Sequence, residues 1–230
     1  MKPKTHFCII LDKSGSMQKT REQTIANFNE QIQELKEMSK EQDILFSLVS
    51  FNGKVYEHFW DQPINDIKEI NENDYDPVGA TALRDALGYT LTKLQENEEK
   101  GDNVAYLVVL ISDGETTSDK NYKGDEGIKA IKEIVSSLDA RPNWTISYIG
   151  CNKQNIESFA KDYNFKGKNL AHWDSSDVRS AKRSLSNVKT MNANYFKDRQ
   201  EGLLKSDNYT CSVESAEFGD DLTKVDIKKK

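Results

Sequence analysis

Three oxygen-bearing side chains stand at alternating positions directly after an apolar run near the start of the chain. Asp12, Ser14 and Ser16 follow the run Ile9–Leu11, which is typical of a buried strand. A turn at the end of that strand would present one carboxylate and two hydroxyls together. Three such groups can surround a small hard cation, because these cations prefer oxygen ligands. Taken alone, the pattern also fits an N-terminal cap of the helix that follows.

Two later segments place further oxygen groups in a similar context. Thr81 lies in the loop Gly79–Leu83, which opens a helix whose leucines recur at helical spacing. Asp113 follows a second apolar run, Val108–Ile111, and Gly114 permits a sharp exit from that strand. The chain therefore repeats the arrangement of a polar group at the end of a buried strand.

The order Asp-x-Ser-x-Ser, loop Thr and strand-ending Asp-Gly closely resembles the von Willebrand factor A domain family, over roughly residues 5–195. The matching positions are those of the family's metal-ion-dependent adhesion site: Asp12, Ser14, Ser16, Thr81 and Asp113. The resemblance implies that the hydroxyls contact the metal directly and that the carboxylates often act through waters. Such a ligand set suits Mg²⁺, with Mn²⁺ or Ca²⁺ as alternatives, better than zinc, which prefers His and Cys.

This ligand set implies a binding device and not an enzyme. A cation whose carboxylates act through waters stays under-neutralised, so it takes up a further anionic oxygen. The resemblance implies that a Glu or Asp of a partner protein supplies this oxygen. Microbial and phage members of the family often work beside AAA+ ATPases or beside kinases and phosphatases of stress systems, and such partners are the family-level expectation here.

Two other functions compete with this interpretation. A phosphotransferase similar to the haloacid dehalogenases would use Asp12 as its nucleophile, but those enzymes carry a second acid where this chain has Ser14. A scaffold with a structural metal would instead dock through the edge strand or the C-terminal tail. Metal dependence of partner capture distinguishes the scaffold from the leading hypothesis, and phosphoester hydrolysis would support the phosphotransferase.

Composition limits the classes of partner. The 230-residue chain has a formal net charge of -6, which argues against a general nucleic-acid binder. No apolar stretch reaches transmembrane length and no signal peptide is recognisable, so we expect a cytoplasmic protein without membrane contact. Cys8, Cys151 and Cys211 form neither a disulfide framework nor a zinc pattern, and the first two should be buried thiols. The Lys- and Asn-rich, Pro-poor composition hints at a bacterial or phage source.

Strands that alternate with amphipathic helices predict an α/β fold, a doubly wound, Rossmann-like and mostly parallel sheet with helices on both faces. The resemblance adds six strands in the order 3-2-1-4-5-6, with strand three antiparallel. Asn52-Gly53 independently predicts a hairpin between strand two and Lys54–Phe59. The chain changes direction between strands one and four, so Asp12 and Asp113 should meet at the edge where ligands bind in such sheets.

The sequence also predicts where the domain ends. Residues 1–199 should form the domain, and residues 200–230 a tail or appendage that includes a short strand, since Tyr209, Cys211 and Val213 alternate with polar residues.

Near the site, we expect Lys13 and Arg84 to be surface charges. Glu115 is an exposed loop acid or a competitor ligand. Asp85 is an early-helix acid or a water-mediated partner of the metal.

Overall fold

A six-stranded sheet forms the centre of the computed structural model, which describes residues 2–114, 116–151, 153–166, 169–172 and 178–202. The strands are β1 (Lys4–Asp12), β2 (Asp43–Phe51), β3 (Val55–Pro63), β4 (Val104–Ser112), β5 (Trp144–Gly150) and β6 (Leu170–His172). They lie in the order β3-β2-β1-β4-β5-β6, and β3 alone pairs antiparallel with its neighbour. The predicted fold class and strand order are confirmed.

Within the described residues, five α-helices cover the two faces of this sheet: α1 (Arg21–Met38), α2 (Leu83–Glu96), α3 (Gly124–Asp139), α4 (Lys153–Tyr163) and α5 (Val178–Gln200). Helices α1 and α5 pack on one face, and α2, α3 and α4 pack on the other. Alternate residues of β1 enter the two cores, so Ile9 faces α1 while Ile10 faces α2. Every residue of β4 is buried, as expected for a parallel strand covered on both faces.

The β2–β3 hairpin forms the edge of the sheet. Its antiparallel pairing agrees with the prediction from Asn52-Gly53, but β3 extends four residues beyond the predicted end at Phe59. The register shifts twice, between Phe46 and Leu48 and between Leu48 and Val49. Asp61 has a positive φ of 51° at the far end of the strand. Irregularities of this kind hinder the addition of another strand at an exposed edge.

Two of the predicted helical segments differ from the structure. Apolar side chains spaced three and four residues apart predict a first helix from about Gln18 to Met38. In the structure this segment begins as a short 3₁₀ helix over Gly15–Thr20, and α1 starts at Arg21. The sequence also predicts a short helix over Ile64–Ile70 after strand three, and this prediction is wrong, since only Ile64–Asp66 forms a 3₁₀ turn. Ile64, Ile67 and Ile70 are nevertheless buried in the core between the sheet and α1, where they anchor an irregular connection. Spacing of three residues therefore indicated burial here and not a helix.

Some predictions fall on residues that the structure does not describe. Residues 203–230, which hold nearly all of the predicted tail, and Glu115 lie outside the described residues. The described part of the chain ends with α5 and Glu201-Gly202. No helix within that part has the length and apolar character needed to cross a membrane.

The sheet order predicts which amides exchange most slowly with solvent. We expect the slowest exchange in Ile9–Leu11, Leu45–Val49 and Leu107–Ile111, because opening of central strands approaches global unfolding. The edge strand β3 serves as the internal comparison and should exchange faster. Hydrogen exchange followed by mass spectrometry measures this, and equal protection of β3 and β4 would contradict the assignment.

Candidate metal centre

Asp12 lies at the carboxyl end of β1 and is completely buried. The backbone N–H of Ser14 donates to its Oδ1 at 2.7 Å, and the hydroxyl of Ser112 donates to its Oδ2 at 2.5 Å. The hydroxyl of Tyr75 donates to its backbone carbonyl at 2.7 Å. Three separate parts of the chain thus hold this residue, so its carboxylate has a fixed position at the end of the central strand.

The electrostatic environment of this carboxylate favours the neutral form. Burial raises the pKa of Asp12 to about 6, although hydrogen bonds from Ser112 and Ser14 oppose this change, and the charge of Asp113 adds to it. Burial also raises the pKa of Asp113, against a hydrogen bond from Ser16. Among the described residues, no Lys, Arg or His forms an ion pair with either carboxylate. This edge of the sheet therefore has two acids and no bound counter-charge.

The two serines connect Asp12 to Asp113. The hydroxyl oxygens of Ser14 and Ser16 lie 3.1 Å apart, and Ser16 donates to Oδ1 of Asp113 at 2.7 Å. Asp113 directly follows β4, the neighbour of β1 in the sheet. Four of the five predicted ligands therefore form one chain of hydrogen bonds, across a sequence separation of 97 residues.

Thr81 approaches this cluster through its loop. Val78 N–H donates to the carbonyl of Lys13 at 2.9 Å, and Gly15 N–H donates to the carbonyl of Gly79 at 3.0 Å. Gly79 has a φ of +82°, which favours glycine. The hydroxyl of Thr81 makes no hydrogen bond to any described residue, and its side chain is not bonded to the other four predicted ligands. It remains available to an additional group.

The donor set fits a hard divalent cation. It combines two carboxylates with three hydroxyls, and oxygen ligands of this kind suit Mg²⁺ or Mn²⁺. Within the described ranges, no group of three or more His, Cys, Asp or Glu is placed so that it could hold a metal. The paired acids without a counter-charge give the electrostatic reason for a cation at this place.

Two neighbours of the site differ from the sequence-based expectations. Arg84 is not a surface charge: its side chain is 13% exposed and its Nε donates to Asp119 at 2.7 Å. Cys151 is half-buried and not fully buried, because it follows β5 at the rim and contacts the backbone carbonyl of Asp113. Lys13 is half-buried, and its ammonium lies 4.8 Å from the centre of the exposed Tyr56 ring, which agrees with a charge at the surface. Cys8 is buried as predicted.

Sequence reasoning missed Ser112 and Tyr75, which both bond to Asp12. Ser112 could have been found, because a hydroxyl beside Asp113 at the end of a strand reaches the neighbouring strand end. Tyr75 lies in an irregular connection 63 residues after Asp12, and no local pattern marks it. Asp85 lies in the first turn of α2, as the expectation of an early-helix acid had it, and its carboxylate also accepts backbone N–H groups of residues 120–122, which the sequence did not indicate.

Comparison with known proteins agrees with this fold. A sequence model of the von Willebrand factor type A domain matches residues 7–178. A search of curated proteins found no significant match.

Among solved structures, the ArnB paralog VWA2 from Sulfolobus acidocaldarius has a TM-score of 0.51 at 17% identity, over 81% of this chain and 45% of that protein. Proximal thread matrix protein 1 from the mussel byssus has a TM-score of 0.55 at 12% identity, over 82% and 48%. Manganese-loaded TRAP protein from Plasmodium vivax has a TM-score of 0.50 at 17% identity, over 80% and 74%. The chain spans about half the length of the first two, and identities this low show the fold alone.

The raised pKa of Asp12 predicts how pH affects the metal-free protein. The folded state holds the Asp12 proton more tightly than the unfolded state, so this contribution to stability is complete below about pH 4 and is lost as pH rises through about 6. Asp12→Asn cannot ionise. Relative to wild type, its free energy of unfolding in EDTA should therefore increase by about 2–3 kcal/mol between pH 4 and pH 7.5. Urea denaturation at both pH values measures this difference.

The matched control is Asp66→Asn, because Asp66 is exposed outside the site. Its stability relative to wild type should change little over the same pH range. If Asp12→Asn behaves in the same way as this control, the carboxylate of Asp12 is not held in the unfavourable environment described here.

Proposed function

Since the chain belongs to the von Willebrand factor type A domain family, we propose that it is a protein-binding module that depends on a divalent metal. Members of this family often mediate protein–protein interactions. In this proposal Asp12, Ser14, Ser16, Thr81 and Asp113 hold the cation, with Mg²⁺ as the first candidate and Mn²⁺ or Ca²⁺ as alternatives. The bound cation would supply a Lewis-acidic position for a carboxylate of the partner.

One observation carries this proposal: two acids at adjacent strand ends have raised pKa values and no ion-pair partner among the described residues, while the hydroxyls of Ser14 and Ser16 stand beside them. Such an edge favours a cation, and the neutral hydroxyls among its ligands leave a cation there able to take up a further anionic oxygen. An acidic side chain from another protein would supply that oxygen. The proposal therefore requires no nucleophile and no chemical turnover by this chain.

The partner is proposed only by class. A protein that presents a Glu or Asp on an exposed loop fits the site, and AAA+ ATPases or kinases and phosphatases of stress systems are the classes that the resemblance implies. Docking through the β3 edge is the alternative. The two register shifts and the positive φ of Asp61 make that edge a poor template for another strand.

Thr81→Ala provides the sharpest test of metal binding. Its hydroxyl makes no hydrogen bond to the described residues, so its removal should cost little stability while it removes one proposed ligand. We expect wild type to bind Mn²⁺ in titration calorimetry and the variant to bind at least about tenfold more weakly. Manganese is a suitable probe because the TRAP structure from Plasmodium vivax is manganese-loaded.

The control for this titration is Thr190→Ala, which removes an exposed threonine hydroxyl from α5. It should bind Mn²⁺ as tightly as wild type. Equal Mn²⁺ affinity of wild type and Thr81→Ala would remove Thr81 from the proposed site, and an absence of binding by wild type would overturn the metal site as a whole.

Partner capture should depend on the same residues. We expect a protein captured from a lysate of the source organism in Mg²⁺ to be released by EDTA and to be lost with Thr81→Ala and with Asp113→Ala. Replacement of one Glu or Asp of that protein by its amide should also abolish capture. Affinity purification with quantitative mass spectrometry measures these effects. A partner that stays bound in EDTA and tolerates both variants would favour docking through the β3 edge or the tail.

A further inference from the structure

Two buried acids next to the candidate site have no part in the proposed ligand set. Asp85 lies in the first turn of α2 and is 6% exposed, and Asp119 lies in the loop between β4 and α3 and is 8% exposed. We propose that these two carboxylates position Thr81 for metal binding, by fixing the loop that holds its backbone. This inference rests on the proposed function, since it assigns two positioning residues to that site.

The backbone of Thr81 is held by a single stretch of the chain, residues 116–122, named here the clasp loop. Thr81 N–H donates to the hydroxyl of Thr117 at 3.0 Å. Its carbonyl accepts the N–H groups of Thr117 at 2.7 Å and Ser118 at 3.0 Å, and the hydroxyl of Thr116 at 3.1 Å. Both polar groups of this peptide position therefore depend on where the clasp loop lies.

Asp85 fixes the second half of the clasp loop. Its Oδ2 accepts the backbone N–H of Lys120 at 2.7 Å, and its Oδ1 accepts those of Asn121 at 2.9 Å and Tyr122 at 3.0 Å. Three consecutive amides thus converge on one buried carboxylate. Hydrogen bonds to an ionised acceptor are stronger than bonds between neutral groups, so this contact ties the loop firmly to α2.

Asp119, which belongs to the clasp loop itself, fixes the first half of the loop through contacts with the start of α2. Its Oδ2 accepts the Nε of Arg84 at 2.7 Å and the hydroxyl of Thr116, and its Oδ1 accepts the backbone N–H of Asp85 at 3.1 Å. Arg84 also donates to the carbonyl of Gly124 at 3.2 Å, at the start of α3. The clasp loop and the start of α2 therefore hold each other through reciprocal contacts.

These contacts reach the candidate site through Thr81. Within the described part of the chain, neither Asp85 nor Asp119 forms a hydrogen bond with Asp12, Ser14, Ser16 or Asp113. Asp85 also lies in the first turn of the helix that follows Thr81, and Asp119 accepts the backbone N–H of Asp85, so the two acids join this helix start to the clasp loop. Partners that orient metal ligands in this indirect way contribute strongly to metal affinity.

The test compares Asp119→Asn and Asp85→Asn with a control that has the same chemistry elsewhere. Asp139→Asn is matched, because Asp139 is also a buried acid, ion-paired with Lys166, but at the opposite end of α3. Hydrogen exchange of the metal-free proteins reports on the amides of Thr117 and Ser118. Electron paramagnetic resonance of Mn²⁺ gives the affinity from the fraction of free ion.

We expect both clasp variants to lose at least tenfold in protection at Thr117 and Ser118 and about tenfold or more in Mn²⁺ affinity. The Asp139→Asn control should retain both, even if its melting temperature falls by the same amount. Reduced protection with unchanged Mn²⁺ affinity would overturn the inference, as would unchanged protection. Failure of wild type to bind Mn²⁺ would instead overturn the proposed function, which the wild-type titration alone reveals.

Discussion

The burial of the Asp12 carboxylate is the constraint on which the site depends. An acid at the end of a strand that is covered on both faces loses its hydrogen bonds to water, and the protein must supply other hydrogen-bond donors in their place. It does so with an amide from the adjoining turn, a hydroxyl from the end of β4 and a tyrosine that fixes the carbonyl. Each replacement also fixes the position of a neighbouring loop. The hydroxyl-lined edge follows from the need to accommodate one buried acid.

The sheet topology explains why this acid lies beside a second one. β1 and β4 are parallel neighbours at the place where the strand order changes direction, so their carboxyl ends face the same side. Repulsion between Asp12 and Asp113 is reduced by serines rather than by lysines or arginines. Serines leave the negative charge uncompensated, and this distinguishes the edge from an ordinary ion-paired surface.

Much of this arrangement could be predicted from the sequence, because it depends on local signals. Apolar runs marked β1 and β4, and the Asn-Gly pair marked the hairpin. The strand order came from the family resemblance. Four predicted ligands then met because the topology brings strand ends together, although metal binding itself stays a prediction.

Contacts between distant irregular segments could not be predicted in this way. Tyr75 and Asp119 lie in connections without periodicity, and their partners, Asp12 and the start of α2, are fixed only by the completed fold. Arg84 was misjudged for the same reason, since a charge early in a helix gives no sign that a loop will cover it. The helix predicted from the isoleucines after β3 was wrong for a different reason: their spacing suits a helix, but each side chain enters the core from an irregular segment.

The hydrogen bonds that join Ser112 to Asp12 and Ser16 to Asp113 span 100 and 97 residues of sequence. Closing such long loops costs entropy before any contact is gained, so the edge can form only when β1 and β4 are already paired. A fragment that ends before β4 lacks Asp113, one of the two acids, and therefore cannot form the site. Metal affinity would consequently distinguish fully assembled molecules from partly folded ones, and the site would act as a natural check on completed folding.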